Sequence, residues 1–146
     1  MKLHTASETI SFAKELENES ANFYKDLAER YAEDKDVFLS FAKDNGKYIA
    51  DIERAYYGVI TDAIEGCFAF DVETDEYALE TSLAQNAGYS DALDKAIEIE
   101  GKIIKFYSDA AEQSQDLMAD VPRAFKQVVR KRDSRRPKLE SLLEEV

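Results

Sequence analysis

The chain of 146 residues contains one histidine, one cysteine, two prolines, five glycines and no tryptophan. One cysteine excludes an internal disulfide framework, and the absence of any Cys-x-x-Cys pair removes the thiolate set of a structural zinc or iron centre. Cys67 itself, within CFAF, reads as a small buried hydrophobe in preference to a nucleophile. So few prolines and glycines among 34% charged residues point to a helical, globular chain. No run approaches 18 apolar residues, which leaves no candidate membrane span, and MKLHTASETI lacks the apolar core of a signal peptide. A cytoplasmic protein of one domain, residues 1–146, is expected.

Positive charge is scarce too. The net charge of −12 argues against nonspecific nucleic-acid binding and against association with anionic membranes. The distribution is uneven: from Arg123 to Lys138 stand eight Lys or Arg and one Asp, about +7, so the remainder carries about −19. That basic stretch reads either as one helix neutralising acidic neighbours or as a patch for an anion or a partner.

What the chain does have is helical periodicity. Thr5 or Ser7 can cap a first helix running to about Tyr31, with Ile10, Ala13, Glu17, Ser20, Tyr24, Leu27 and Tyr31 on one side. The polar turn AEDKD is short enough to make the next helix an antiparallel neighbour. That second helix starts near Asp36 and turns Phe38, Phe41, Ala42, Asn45, Tyr48, Ile49, Ile52, Tyr56 and Val59 inward, while Gly46 inside it predicts close packing or a bend. A connection from about Glu65 to Tyr89 is long enough to cross a whole bundle, and EYALETSLAQNAG within it is expected to hold a short helix. Ser90 or Asp91 caps the third helix, which ends near Gln115. Asp120 caps the fourth, with Pro122 in its first turn, and Pro137 predicts a kink near Asp133 to Arg136.

The two halves repeat. Glu17, Phe23, Tyr24 and Glu29 recur as Glu100, Phe106, Tyr107 and Glu112 at a constant offset of 83. Phe38, Ala42, Ile52 and Glu53 recur as Phe125, Val129, Leu139 and Glu140 at an offset of 87. The chain therefore reads as a duplicated helical hairpin. Each half aims one carboxylate into a core-facing stripe, which a plain apolar core would not do.

Two hairpins joined by a long crossover, each opening on an inward Glu followed seven residues later by Tyr, with Phe before that Tyr, resemble the ferritin-like superfamily and its rubrerythrin branch. The resemblance covers essentially the whole chain. It implies an all-α fold, a four-helix ferritin-like up-down bundle of two helical hairpins. In that family the second and fourth helices each supply Glu-x-x-His, completing six ligands for two iron ions. Here the corresponding positions, seven and ten residues after Phe38 and after Phe125, hold Asn45, Tyr48, Arg132 and Arg135. Of the family's ligands only Glu17 and Glu100 remain, and arginine cannot ligate a cation. Two Glu and two Arg sum to zero charge, as do four carboxylates with two divalent ions, so guanidinium pairing can take over the structural role of the metals. The competing reading sends the arginines out to solvent and leaves the two Glu protonated or hydrated. Tyr24 and Tyr107 read as core aromatics able to hydrogen-bond the carboxylates.

The resemblance thus implies a bundle that has lost its di-iron centre and acts as a non-catalytic structural or binding protein, with no cofactor expected. Its alternative is an iron-dependent oxidoreductase of rubrerythrin type, which needs substitute ligands such as Glu53 and Glu140. A mononuclear site built from Glu17, Glu100, Asn45 and Tyr48 is a further variant, and a small anion held by Arg132 and Arg135 inside the bundle is a third reading. Phe12, Leu16, Phe23, Ile99 and Phe106 lie partly outside the Glu17 face or its equivalent, so a homodimer is expected to cover them, as rubrerythrin-like proteins often pair.

Overall fold

The computed structural model describes residues 1–59, 70–115 and 120–146, so the expectation for Cys67 lies outside it. Among the described residues are five α-helices: α1 (Ala6–Arg30), α2 (Lys35–Val59), α3 (Tyr89–Ser114), α4 (Val121–Asp133) and α5 (Arg135–Glu145). Ser134 keeps helical dihedrals (φ −66°, ψ −15°) between the last two, so α4 and α5 act as one interrupted rod and the architecture is four rods. None of the described helices is long and apolar enough to cross a membrane.

The ends of the rods follow from local chemistry. At Thr5 the side chain accepts from the Glu8 N–H while the Glu8 carboxylate accepts from the Thr5 N–H, a reciprocal capping box. Asp120 stands at the cap position of α4 with Pro122 in the first turn, as expected, but its side chain makes no capping bond. α3 departs further from expectation: Gly88 is its N-cap, not Ser90 or Asp91. Tyr89 anchors this start instead, stacking on Tyr31 at 4.3 Å and donating to Asp34 at 2.5 Å. The break at Ser134 falls where Pro137 was expected to make it, because proline has no N–H for the Asp133 carbonyl and its ring crowds that oxygen.

Pair contacts fix the directions. Tyr24 packs on Phe38 and Phe41 while Asn45 reaches back to the Glu17 carbonyl, so α1 and α2 are antiparallel. Tyr24 meets Glu100 and Tyr107 meets Glu17, which makes α1 and α3 antiparallel as well. Tyr107 lies against Phe125 and Glu100 against Arg132, giving the same relation between α3 and α4. α2 and α3 consequently run the same way, and the chain between them must travel the length of the bundle.

That connection is not helical where a helix was expected. Residues 78–88 hold no helix or strand and form one turn, preceded by a 3-10 turn at Thr74–Tyr77. Its backbone groups are satisfied by side chains from the rods: Lys102 and Lys95 donate to the Ala78 and Ser82 carbonyls, and Arg30 to that of Ala84. Upstream, β1 (Lys2–Leu3) and β2 (Val72–Glu73) pair antiparallel with Leu3 opposite Val72, a short ribbon with no signal in the sequence.

Ribbon and crossover together account for the apolar surplus that predicted a second copy. Leu16, Phe23, Ile99 and Phe106 are buried within the chain, in one cluster with Leu3, Phe70 and Val72. Phe106 takes Phe12 edge-on at 5.3 Å and Tyr77 at 5.5 Å. A partner is therefore not needed to cover them. Gly46 also departs from expectation: it is exposed, α2 runs through it without interruption, and a Cβ there would meet nothing within 4 Å.

Candidate functional site: a buried network of two carboxylates and two guanidinium groups

Helical period alone delivers the site. Glu17 and Glu100 lie on the inward stripes of α1 and α3, Asn45 and Tyr48 one turn apart on α2, and Arg132 and Arg135 on either side of the α4–α5 break. All six are at most 4% exposed, and Glu17, Glu100 and Arg132 are wholly buried.

Arg132 is the hub. Its Nη2 and Nε donate to Glu17 Oε1 and Oε2, the second at 3.2 Å, and its Nη1 donates to Glu100 Oε2 at 2.6 Å. Arg135 closes the other side, with Nη1 on Glu100 Oε1 at 2.9 Å and Nη2 on the Phe41 carbonyl at 2.8 Å and Asn45 Oδ1 at 2.7 Å. Asn45 turns its amide nitrogen to the Glu17 carbonyl at 3.2 Å, so both ends of that side chain are used. The tyrosines cross over: Tyr24 on α1 donates to Glu100 at 2.7 Å, and Tyr107 on α3 donates to Glu17 at 2.6 Å. Beneath the guanidinium planes lie aromatic faces, Phe41 and Tyr48 at 4.7 and 5.2 Å from Arg135, and Tyr48 at 5.6 Å from Arg132.

Solvation of the arginines, the competing reading, does not occur, since Arg132 is 0% and Arg135 2% exposed. Taking four charges out of water is costly. The geometry offsets that cost, because each carboxylate oxygen accepts at least one hydrogen bond from a cation or a phenol and the charges sum to zero.

Protonation follows the same pattern. Burial pushes the Glu100 carboxyl upward, but Arg132 and Arg135, with the Tyr24 hydroxyl, outweigh it and hold the group below the usual carboxylate range. Burial and then the neighbouring carboxylate drive Tyr24 and Tyr107 well above the ordinary phenol value. For Arg132 burial opposes charge, yet Glu100 and Glu17 raise it well above its normal value. Glu100, both tyrosines and Arg132 thus keep one charge state through the neutral range, which suits a structural network and gives none of them the profile of a proton-transfer catalyst.

Glu53 and Glu140, the substitute ligands that an iron enzyme would require, do not join this centre. Glu53 pairs with Lys14 at 3.6 Å near the surface, and Glu140 is exposed. Among the described residues no group of three or more His, Cys, Asp or Glu side chains is arranged to hold a metal ion. The Nη groups of both arginines are committed to Glu17, Glu100, Asn45 and the Phe41 carbonyl.

One participant escaped sequence reasoning: the Phe41 carbonyl accepts from Arg135 although it lies within α2, a contact that no side-chain pattern announces. Tyr48 was named from the sequence as a former-ligand position, and its ring lies under both guanidinium groups. Comparison with protein families, with curated proteins and with solved structures finds no match to this chain.

Proposed function

We propose that the chain is a ferritin-like bundle of the rubrerythrin type in which two arginines have replaced a di-iron centre, and that it serves as a non-catalytic structural or binding protein. One observation carries this reading: Arg132 bridges Glu17 and Glu100, the two carboxylates that would otherwise face a metal, with Arg135 on the second of them. The donor set does not fit iron. A guanidinium cannot ligate a cation, and both carboxylates spend their lone pairs on arginine and tyrosine donors. No observation favours the oxidoreductase reading, whose substitute ligands Glu53 and Glu140 lie elsewhere.

Metal analysis of untagged protein purified without chelator tests the proposal. Iron, manganese and zinc are expected well below one per chain, with no oxo-bridged di-iron absorption after ferrous iron is added in air. About two irons per chain together with peroxide turnover would overturn it and restore the oxidoreductase.

A further inference from the structure

A cleft of about 290 Å³ lies between α2 and the α4–α5 break, just outside the buried network. Lys47 and Asp44 line it from α2, Lys131, Ser134 and Lys138 from the other side. Arg135 and the rings of Phe41 and Tyr48 also line it. We propose that this cleft binds a small divalent oxyanion of the phosphate class, either inorganic phosphate or a small phosphate monoester.

Charge is the first argument. In a chain of net charge −12, three lysines meet here against one carboxylate. Two of them have weak surface partners: Lys47 lies 3.6 Å from Asp44 and Lys131 3.4 Å from Asp51, with both lysine side chains more than half exposed. Such pairs give way readily to a stronger anion. Lys138 pairs with no carboxylate among the described residues and lies only over the Phe41 ring, at 6.0 Å.

The second argument is an unsatisfied donor. Arg135 is 2% exposed, and among the described residues its Nε has no hydrogen-bond partner, although both Nη atoms do. A buried N–H of a charged group without an acceptor is unfavourable, and because Arg135 lines the cleft, an oxyanion there lies beside this guanidinium. Ser134 adds a hydroxyl on the same side; its Oγ donates to the Lys131 carbonyl at 2.6 Å, and a rotation of the hydroxyl redirects that proton to the ligand. Asp44 sets the limit on the ligand, because an anion has to reach the lysines from the side away from that carboxylate.

This site does not depend on the loss of a metal centre. Its test uses the full chain, titrated with sodium phosphate by calorimetry and by amide NMR at constant ionic strength, with chloride as the balancing ion. Saturable binding is expected, with amide shifts gathered at Lys47 and from Lys131 to Lys138. Lys131→Gln and Lys138→Gln should each weaken it roughly 5-fold, the scale of one exposed charge interaction, whereas Lys25→Gln, exposed on α1, should leave it unchanged. A parallel titration with glycerol phosphate distinguishes the sources: tighter binding than phosphate assigns a monoester, weaker binding the free ion. All three lysines are exposed, so the variants are expected to fold, and circular dichroism checks this. A response that does not saturate, or that is the same for phosphate and chloride, overturns the proposal. So does equal affinity in the Lys25, Lys131 and Lys138 variants.

Discussion

Asn45 and Tyr48 on α2 occupy, at an offset of 87, the positions that Arg132 and Arg135 hold on the fourth rod, whereas Glu17 and Tyr24 on α1 have chemical equals at an offset of 83 in Glu100 and Tyr107 on α3. One pair of rods has stayed alike and the other has not. In the pair that stays alike each tyrosine serves the opposite carboxylate, so the phenol donors are equivalent, although Glu100 has two guanidinium partners and Glu17 one. In the divergent pair every cation comes from the second half, and the first half answers with an amide oxygen, a backbone carbonyl and two aromatic faces. A duplicated hairpin can therefore balance its interior asymmetrically, provided that the charges sum to zero at the centre.

The largest break in that balance is Arg132→Leu. It strips both carboxylates of their shared donor, and an uncompensated buried charge costs roughly 3 to 5 kcal/mol. Adding Glu17→Gln should recover much of the loss, since Glu100 then still has Arg135 and Tyr24. Urea denaturation of the two single variants and the double measures the coupling. If Arg132→Leu changed stability by less than about 0.5 kcal/mol, the usual surface range, the arginines could not be standing in for anything.

Arg135→Leu should cost less, about 3 kcal/mol, because Glu100 keeps Arg132 and Tyr24 while Asn45 and the Phe41 carbonyl lose a donor. An effect larger than that of Arg132→Leu would move the hub of the network to the wrong residue.

Acid sharpens the same contrast. Glu100 has a folded pKa below its ordinary value near 4.5, so its contribution to stability is complete above that value and is lost as pH falls through the lower folded one. The urea midpoint should hold between pH 7 and 5 and drop below about pH 4.5. A midpoint already falling between pH 7 and 5 would contradict the assignment.

The equivalence of the two conserved rods can be tested directly with Tyr24→Phe and Tyr107→Phe. Each removes one hydrogen bond to a buried carboxylate, worth about 1.5 kcal/mol or somewhat more. Tyr107→Phe is expected to cost more, because Glu17 has one arginine partner and Glu100 two. Equal losses, within about 0.5 kcal/mol, would show that the second arginine does not compensate Glu100 for the lost phenol.

Much of this was legible in the sequence, and the reason is periodicity. A 3.6-residue repeat fixes which face turns inward, so Glu17, Asn45 and Tyr48 could be placed there, and Glu100 by the internal repeat, whereas Arg132 and Arg135 were placed by the resemblance alone, with a course out to solvent left open. The break at Ser134 was legible too, from the missing donor of Pro137. What periodicity does not encode is which segment covers a face. Leu16 and Phe106 read as surface awaiting a partner, whereas both are buried within the chain, Phe106 against Tyr77 of the crossover. The non-helical course of 78–88 was equally hidden, because its carbonyls are met by distant lysine and arginine donors, which local propensity does not register. The lysine-lined cleft escaped for a related reason: it draws on two rods far apart in sequence.

The smallest effect concerns glycine, where the sequence reading and the structure part most plainly. Gly46 lies next to Asn45 in α2 and was expected to mark close packing or a bend, yet α2 runs through it without interruption and a Cβ there meets nothing within 4 Å. Gly101, next to Glu100 in α3, is different: its Cβ would come within 3.3 Å of Arg136 Nη2, the far end of a flexible side chain. Both positions are helical, so alanine removes the same backbone entropy from the unfolded chain at each. Gly46→Ala should therefore stabilise the protein by about 0.5 to 1 kcal/mol, and Gly101→Ala by less, because Arg136 has to give way. Thermal and urea denaturation of the two variants side by side measure the difference. A loss of stability at Gly46 would mean that this face of α2 is covered, and a covered face beside the network would reopen the case for a second copy packing there.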